Sequence, residues 1–250
     1  MRSDPVHRVL EAELADARRR RDGRPPEVLD VGGGSGVWAV PLASAGCAVT
    51  VVDPSPNALA TLQRRAADAG VSDRVKALQG DTDALAAISP PGGADLVLGH
   101  GLLEFVDDVE GSLRALVSVT APGGAVSLLV VNRYAAILAR AVTGRVSEAL
   151  RLFRDPHGRL DIAADTLQRR FDSDGLRRTM DDAGLVVELV QGQSVLSDLV
   201  PGSVLDSGTG AHEALAELEL AAATQPPLRD IATRLHALGR VTNVAAAPTG

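Results

Sequence analysis

The sequence predicts an α/β fold with a mostly parallel sheet and helices on both of its faces. From Glu27 onward, short apolar runs alternate with longer amphipathic stretches, as crossover connections require. A glycine-rich turn follows the first run directly, where an open sheet of this kind binds its ligands. No segment repeats and no low-complexity linker interrupts the chain, so residues 1–250 are expected to form a single domain.

The elements follow in order. Residues 6–21 carry Val9, Leu10, Glu13, Leu14 and Ala17 at helical spacing and close on Arg18 to Arg21. That arginine run suits a solvated helix end facing the dipole, with phosphate contact as the alternative. Val28–Val31, Val49–Val52, Val75–Leu78, Asp95–Leu98 and Ala125–Val131 read as strands. Val37–Gly46, Ala58–Gly70 and Gly111–Thr120 read as the helices between them. These elements make a ligand-binding core over 24–132. An inserted helical cover is expected over 133–172. Residues 173–205 should complete the sheet, with a helix over Ser173–Ala183 and a hairpin from Val186–Val190 and Ser194–Leu199. A helical tail is expected over 206–250, built from Ala211–Ala223 and Leu228–Gly239.

Composition narrows the function. Of the 250 residues, 2% are aromatic, too few for a platform that stacks bases. The net charge of −7 disfavours non-specific nucleic-acid binding. One cysteine, Cys47, excludes an internal disulfide framework and a multi-cysteine metal site. The longest apolar run, Ala125–Val131, is far short of a membrane span, and no apolar leader follows Met1. A soluble cytoplasmic protein with no metal and no membrane partner is expected.

The sharpest feature is Leu29-Asp30-Val31-Gly32-Gly33-Gly34-Ser35-Gly36. Its glycines do not match the dinucleotide spacing, and no lysine follows Gly36 as a P-loop needs. Asp53 ends the second strand, followed by Pro54; a carboxylate there can accept both hydrogen bonds from a ribose diol. Helix capping is its alternative role, and Ser55 suits that equally. Gln79-Gly80-Asp81-Thr82-Asp83 follows the third strand, and His100 lies at the exit of the fourth. Ala121-Pro122-Gly123-Gly124 is a structural turn.

The glycine segment resembles motif I of class I S-adenosylmethionine-dependent methyltransferases. That resemblance implies a Rossmann-like fold with a seven-stranded, mostly parallel sheet and a C-terminal antiparallel strand. It also implies S-adenosylmethionine as methyl donor and S-adenosylhomocysteine as product. Three stretches, Val28–Gly34, Gly99-His100-Gly101-Leu102-Leu103-Glu104-Phe105-Val106 and Ser127–Asn132, resemble the tRNA 5-carboxymethoxyuridine methyltransferase family. That family methylates the carboxylate of a modified wobble uridine. By resemblance, Asp30, Gly32, Gly33, Gly34, Gly36, Asp53, Pro54, Asp81, Thr82, Asp83 and His100 would surround the donor. Arg2 would reach its carboxylate. One departure stands out: Ser194 occupies the place of an arginine in that family.

For the acceptor, Arg133 is placed to hold a carboxylate, Asn132 to orient it and Tyr134 to close over it. A hydroxyl or amine acceptor would need a base, and His100 is the candidate. Arginines 140, 145, 151, 154, 159, 169 and 170 concentrate positive charge in the cover, which favours an anionic acceptor. The acceptor stays open between tRNA and a small anionic metabolite. A non-catalytic donor-binding module is a third possibility.

Overall fold

The computed structural model describes residues 4–163, 165–207 and 210–242. Seven strands form one sheet in the order β3-β2-β1-β4-β5-β7-β6. They are β1 (Glu27–Val31), β2 (Ala48–Asp53), β3 (Val75–Gln79), β4 (Ala94–His100), β5 (Thr120–Val131), β6 (Leu185–Gln193) and β7 (Arg234–Val241). The first five pair in parallel, while β7 runs antiparallel to both β5 and β6. The chain order reverses between β1 and β4, which opens a crevice beyond their carboxyl ends.

Helices α1 (Pro5–Arg20), α2 (Ala39–Ser44), α3 (Pro56–Asp68), α4 (Leu85–Ile88) and α5 (Val109–Val119) belong to the N-terminal half. The limits expected for α1, α2, α3 and α5 hold within a few residues; the short α4 was not expected. Short polar side chains start α1, α3 and α5: Asp4 accepts from Val6 N–H, Ser55 from Ala58 N–H and Asp108 from Gly111 N–H. Two apolar clusters cover the two sheet faces. One gathers Val31, Val97, Leu103, Leu113, Leu116 and Val130; the other gathers Val6, Leu10, Leu42, Val51, Leu62 and Leu98. The arginine run closing α1 takes the structural role: Arg21 reaches Asp95 at 3.1 Å and Arg18 donates to the Ala45 carbonyl.

The insertion forms an antiparallel hairpin of α6 (Arg133–Val142) and α7 (Val146–Arg154). It leaves and rejoins the sheet at one point, where Asn132 bridges Phe171. Then come α8 (Ser173–Asp182), α9 (Gly202–Ser207) and α10 (Ala211–Ala222).

Two expectations are corrected. Leu228–Gly239 is not a helix: its start is a 3-10 turn over Arg229–Ile231 and the rest enters β7. The slot between β5 and β6 gives β7 a hydrogen-bonding partner on each side, and this outweighs the helical spacing of its leucines. The antiparallel strand therefore comes after α10, and the sheet is not complete by residue 205. Ser194–Leu199 is likewise not a strand. Ser194 turns the chain with φ 54°, and the Glu219 carboxylate accepts from the N–H groups of Val195, Leu196 and Ser197. Those donors are then unavailable to a ladder.

Candidate functional site

The glycine turn is built for close backbone approach. Gly32, Gly34 and Gly36 have φ of 72°, 55° and 81°, which other residues adopt only under strain. Gly33 is held by space instead: a Cβ there would lie 2.4 Å from Asp30 Oδ2 and 2.9 Å from Val51. The turn is tied to β2 by Gly32 N–H donating to the Val52 carbonyl at 2.7 Å. Gly34 N–H donates to Asp53 Oδ2 at 2.9 Å, and Ser55 N–H donates to Asp53 Oδ1 at 2.9 Å. Asp53 thus braces the glycine turn against the start of α3. Each of its oxygens keeps a lone pair for a ligand hydroxyl.

Beside the turn lies a cleft of about 380 Å³. Its walls include Gly32, Pro54, Asp81, Thr82 and Asp83, five of the residues expected at the donor site. Leu102, Phe105 and Val106 add an apolar wall. Thr82 turns its hydroxyl inward to Ser112 at 3.2 Å, while Asp81 and Asp83 are exposed. The Asp81 carboxylate accepts from Asp83 N–H and so shapes this rim.

Asp30 lies beneath the turn, 1% exposed, and neither carboxylate oxygen has a partner. Burial, reinforced by the neighbouring Asp53 carboxylate, raises its pKa to about 7. A buried acceptor pair with no donor is costly by itself. A cation resting on the turn would reduce that cost, and S-adenosylmethionine carries its positive sulfonium and ammonium close together. The open cleft, the bare backbone of the turn and this carboxylate fit that donor.

His100 stands apart from these walls. It meets Trp38 edge-on at 4.7 Å between ring centres, and Trp38 stacks on His7 at 4.6 Å. A hydrogen-bonded chain runs behind it: Gln191 Nε2 to His236 Nδ1 at 3.0 Å, His236 Nε2 to Ser127 Oγ at 2.8 Å, and Ser127 Oγ to His100 Nε2 at 2.8 Å. The amide nitrogen can only donate, so His236 Nδ1 accepts and its proton sits on Nε2. Ser127 receives that proton's hydrogen bond and donates its own to His100 Nε2. The His100 proton is then on Nδ1, which is buried and has no partner. Burial lowers the His100 pKa well below the usual histidine range and takes His236 down to about 4.

Two of the three residues expected at the acceptor, Asn132 and Arg133, are engaged elsewhere. Asn132 is fully buried and caps α6 through Tyr134 N–H, while its amide donates to the carbonyls of Asp230 and Ala232. Arg133 donates to the carbonyls of Leu152 and Phe153 at the end of α7. Both are joints of the insertion. Tyr134 is exposed on the hairpin. Arg2 lies outside the described residues. The positive charge of the cover is partly internal as well. Arg169 donates to the carbonyls of Leu103, Val106 and Asp107, and Arg170 pairs with Asp165 at 2.7 Å.

Sequence reasoning missed Ser127, Gln191, His236 and Glu104. Glu104 is 1% exposed and accepts from Val131 N–H at 2.7 Å, fixing the β4 exit loop to the end of β5. Ser127, a lone hydroxyl inside an apolar strand, was the available signal; His236 was hidden by the helical reading of its segment.

Residues 5–190 match the family model described as a methyltransferase domain. Over 129 residues the chain is 31% identical to a ubiquinone biosynthesis O-methyltransferase of Azorhizobium caulinodans, covering 52% of this chain and 49% of that protein. It thus spans about half the length of this curated relative. An S-adenosylmethionine-dependent methyltransferase from Mesorhizobium loti has a similar structure, with TM-score 0.62, 19% identity, and coverage of 93% of this chain and 95% of that one. A Methanosarcina mazei S-adenosylmethionine-dependent methyltransferase gives TM-score 0.59 and 15% identity, covering 88% and 93%. Both likenesses bear on the fold. With its matching family model and its glycine turn beside an open cleft, the chain belongs to the methyltransferase domain family, whose methyl donor is S-adenosylmethionine.

Proposed function

We propose that the protein transfers the methyl group of S-adenosylmethionine to an oxygen of a small acceptor. The observation that carries this is the cleft beside the glycine turn, with the unpartnered Asp30 carboxylate beneath it. The donor, when bound, supplies a methyl group already activated on sulfonium. Gly32, Pro54 and the Asp81–Asp83 rim hold the nucleoside part, and the Asp53 carboxylate accepts from its sugar hydroxyls. Leu102 and Val106 exclude water from one side. The curated relative, an O-methyltransferase by name, supports oxygen as the acceptor atom.

His100 suits orientation better than proton abstraction. Its lowered pKa makes it a weak base, and its bonded chain leaves an N–H free to donate. Such a donor matches an oxygen that is already ionised, as a carboxylate is at neutral pH. The retained stretch His100–Val106 keeps the carboxylate of a modified wobble uridine as a second reading. Loss of that ester from the tRNA of a deletion strain, seen by nucleoside mass spectrometry, would favour it; an unchanged ester excludes it.

Titration calorimetry with S-adenosylmethionine and S-adenosylhomocysteine tests the donor site. Dissociation constants of about 1–100 μM are expected, roughly −8 to −5 kcal/mol. Absence of binding at about 1 mM would overturn the proposal.

A further inference from the structure

We propose that the α6–α7 hairpin docks the protein on an anionic lipid surface. Six large apolar side chains stand exposed on it: Tyr134, Leu138, Val142, Val146, Leu150 and Phe153. They recur at i, i+4, i+8 on α6 and at i, i+4, i+7 on α7, so each helix carries a stripe. The Arg133 bonds to Leu152 and Phe153 set the start of α6 beside the end of α7. The stripes therefore align as three rungs: Tyr134 with Phe153, Leu138 with Leu150, Val142 with Val146. Val142 is 86% exposed and Phe153 64%, which is unusual for side chains of their size in water.

Charge decides the occupant. Arg145, Arg151 and Arg154 are exposed on this hairpin. Its single acid, Glu148, is half-buried and faces Arg140 at 3.3 Å. The outward face is thus apolar and cationic on a chain whose net charge is −7. Apolar stripes edged by arginine match the boundary between acyl chains and anionic headgroups. A second copy fits less well, because a two-fold contact would set this arginine edge against itself. A nucleic acid would satisfy the arginines but leave the aliphatic rungs without a partner. Among the described residues no helix is long and apolar enough to cross a membrane; the hairpin would lie on the surface. The inference does not depend on which acceptor is methylated.

The test is co-sedimentation of the full chain with vesicles of phosphatidylcholine alone or mixed with phosphatidylglycerol. Binding to the mixed vesicles is expected, with weak binding to phosphatidylcholine and a marked loss when salt rises from about 0.05 to about 0.5 M. Leu138→Ser with Phe153→Ser should reduce binding about tenfold while the thermal unfolding temperature holds, because both side chains are exposed. Arg151→Glu with Arg154→Glu should abolish the preference for the anionic lipid. Failure to sediment with mixed vesicles overturns the proposal. So does a solution dimer that the serine pair dissociates.

Discussion

Asp30 on β1 and His236 on β7 are both buried and ionisable, yet they meet burial in opposite ways. His236 has a partner at each ring nitrogen, Gln191 on one side and Ser127 on the other. Asp30 has none. The bonded chain through His236 orients its members and holds its strands together, joining β4, β5, β7 and β6 through single side chains, with only the outer His100 Nδ1 left without a partner among the chain's ring nitrogens. An unsatisfied carboxylate under a bare glycine turn is a cost that the protein's own donors leave uncompensated, which suits a site beneath a cationic ligand.

The contrast has a pH consequence. The Asp30 carboxyl is raised in the folded state, so the unfolded chain releases its proton first. Stability then falls as pH rises from about 4 to about 7. His236 is depressed to about 4, so the unfolded chain takes up its proton first as pH falls. Stability from this group therefore rises with pH between about 4 and about 6.5. In the intact protein the two slopes oppose each other. Asp30→Asn should remove the falling slope, changing the stability difference between pH 4 and pH 8 by roughly 4 kcal/mol, measured by denaturant unfolding. An unaltered difference would mean that the carboxylate is solvated. His236→Leu should cost roughly 3 kcal/mol at pH 7, because Ser127 and Gln191 lose their partner, and should reduce the rising slope to the part that His100, also depressed by burial, contributes.

Smaller effects sharpen the same contrast at the glycine turn. Gly33→Ala should destabilise by about 2 kcal/mol, since its Cβ would meet Asp30 and Val51; thermal unfolding measures this. Asp53→Ala should weaken S-adenosylhomocysteine binding by about 1–3 kcal/mol in calorimetry, through loss of the sugar contacts and of the brace on Gly34. Unchanged affinity would place the sugar elsewhere.

The parallel half of the sheet was legible in the sequence because each strand there is a short apolar run bounded by turn residues. The glycine turn, Asp53 and the Asp81–Asp83 rim were legible because they follow strands in order. β7 was not. It is buried on both faces over Leu235–Gly239, so no alternation distinguishes it from a helix, and its partners lie over 40 residues away or more in sequence. Asn132 and Arg133 were placed correctly at the end of β5, but topology could not reveal that α7 and the Asp230–Ala232 turn would claim their hydrogen bonds. Position along a fold was readable; the partners that a distant segment brings were not.

The central claim is that the nucleoside of the donor lies in the cleft between the glycine turn and α5. Photolabelling with an 8-azidoadenosine analogue of S-adenosylmethionine, followed by peptide mapping, tests it most directly. Labels within Gly80–Asp83 or Leu102–Ser112, competed by S-adenosylhomocysteine, are the predicted result. Competed labels instead at Asp4, Gln193 or His212, which line a separate cavity of about 260 Å³, would contradict it.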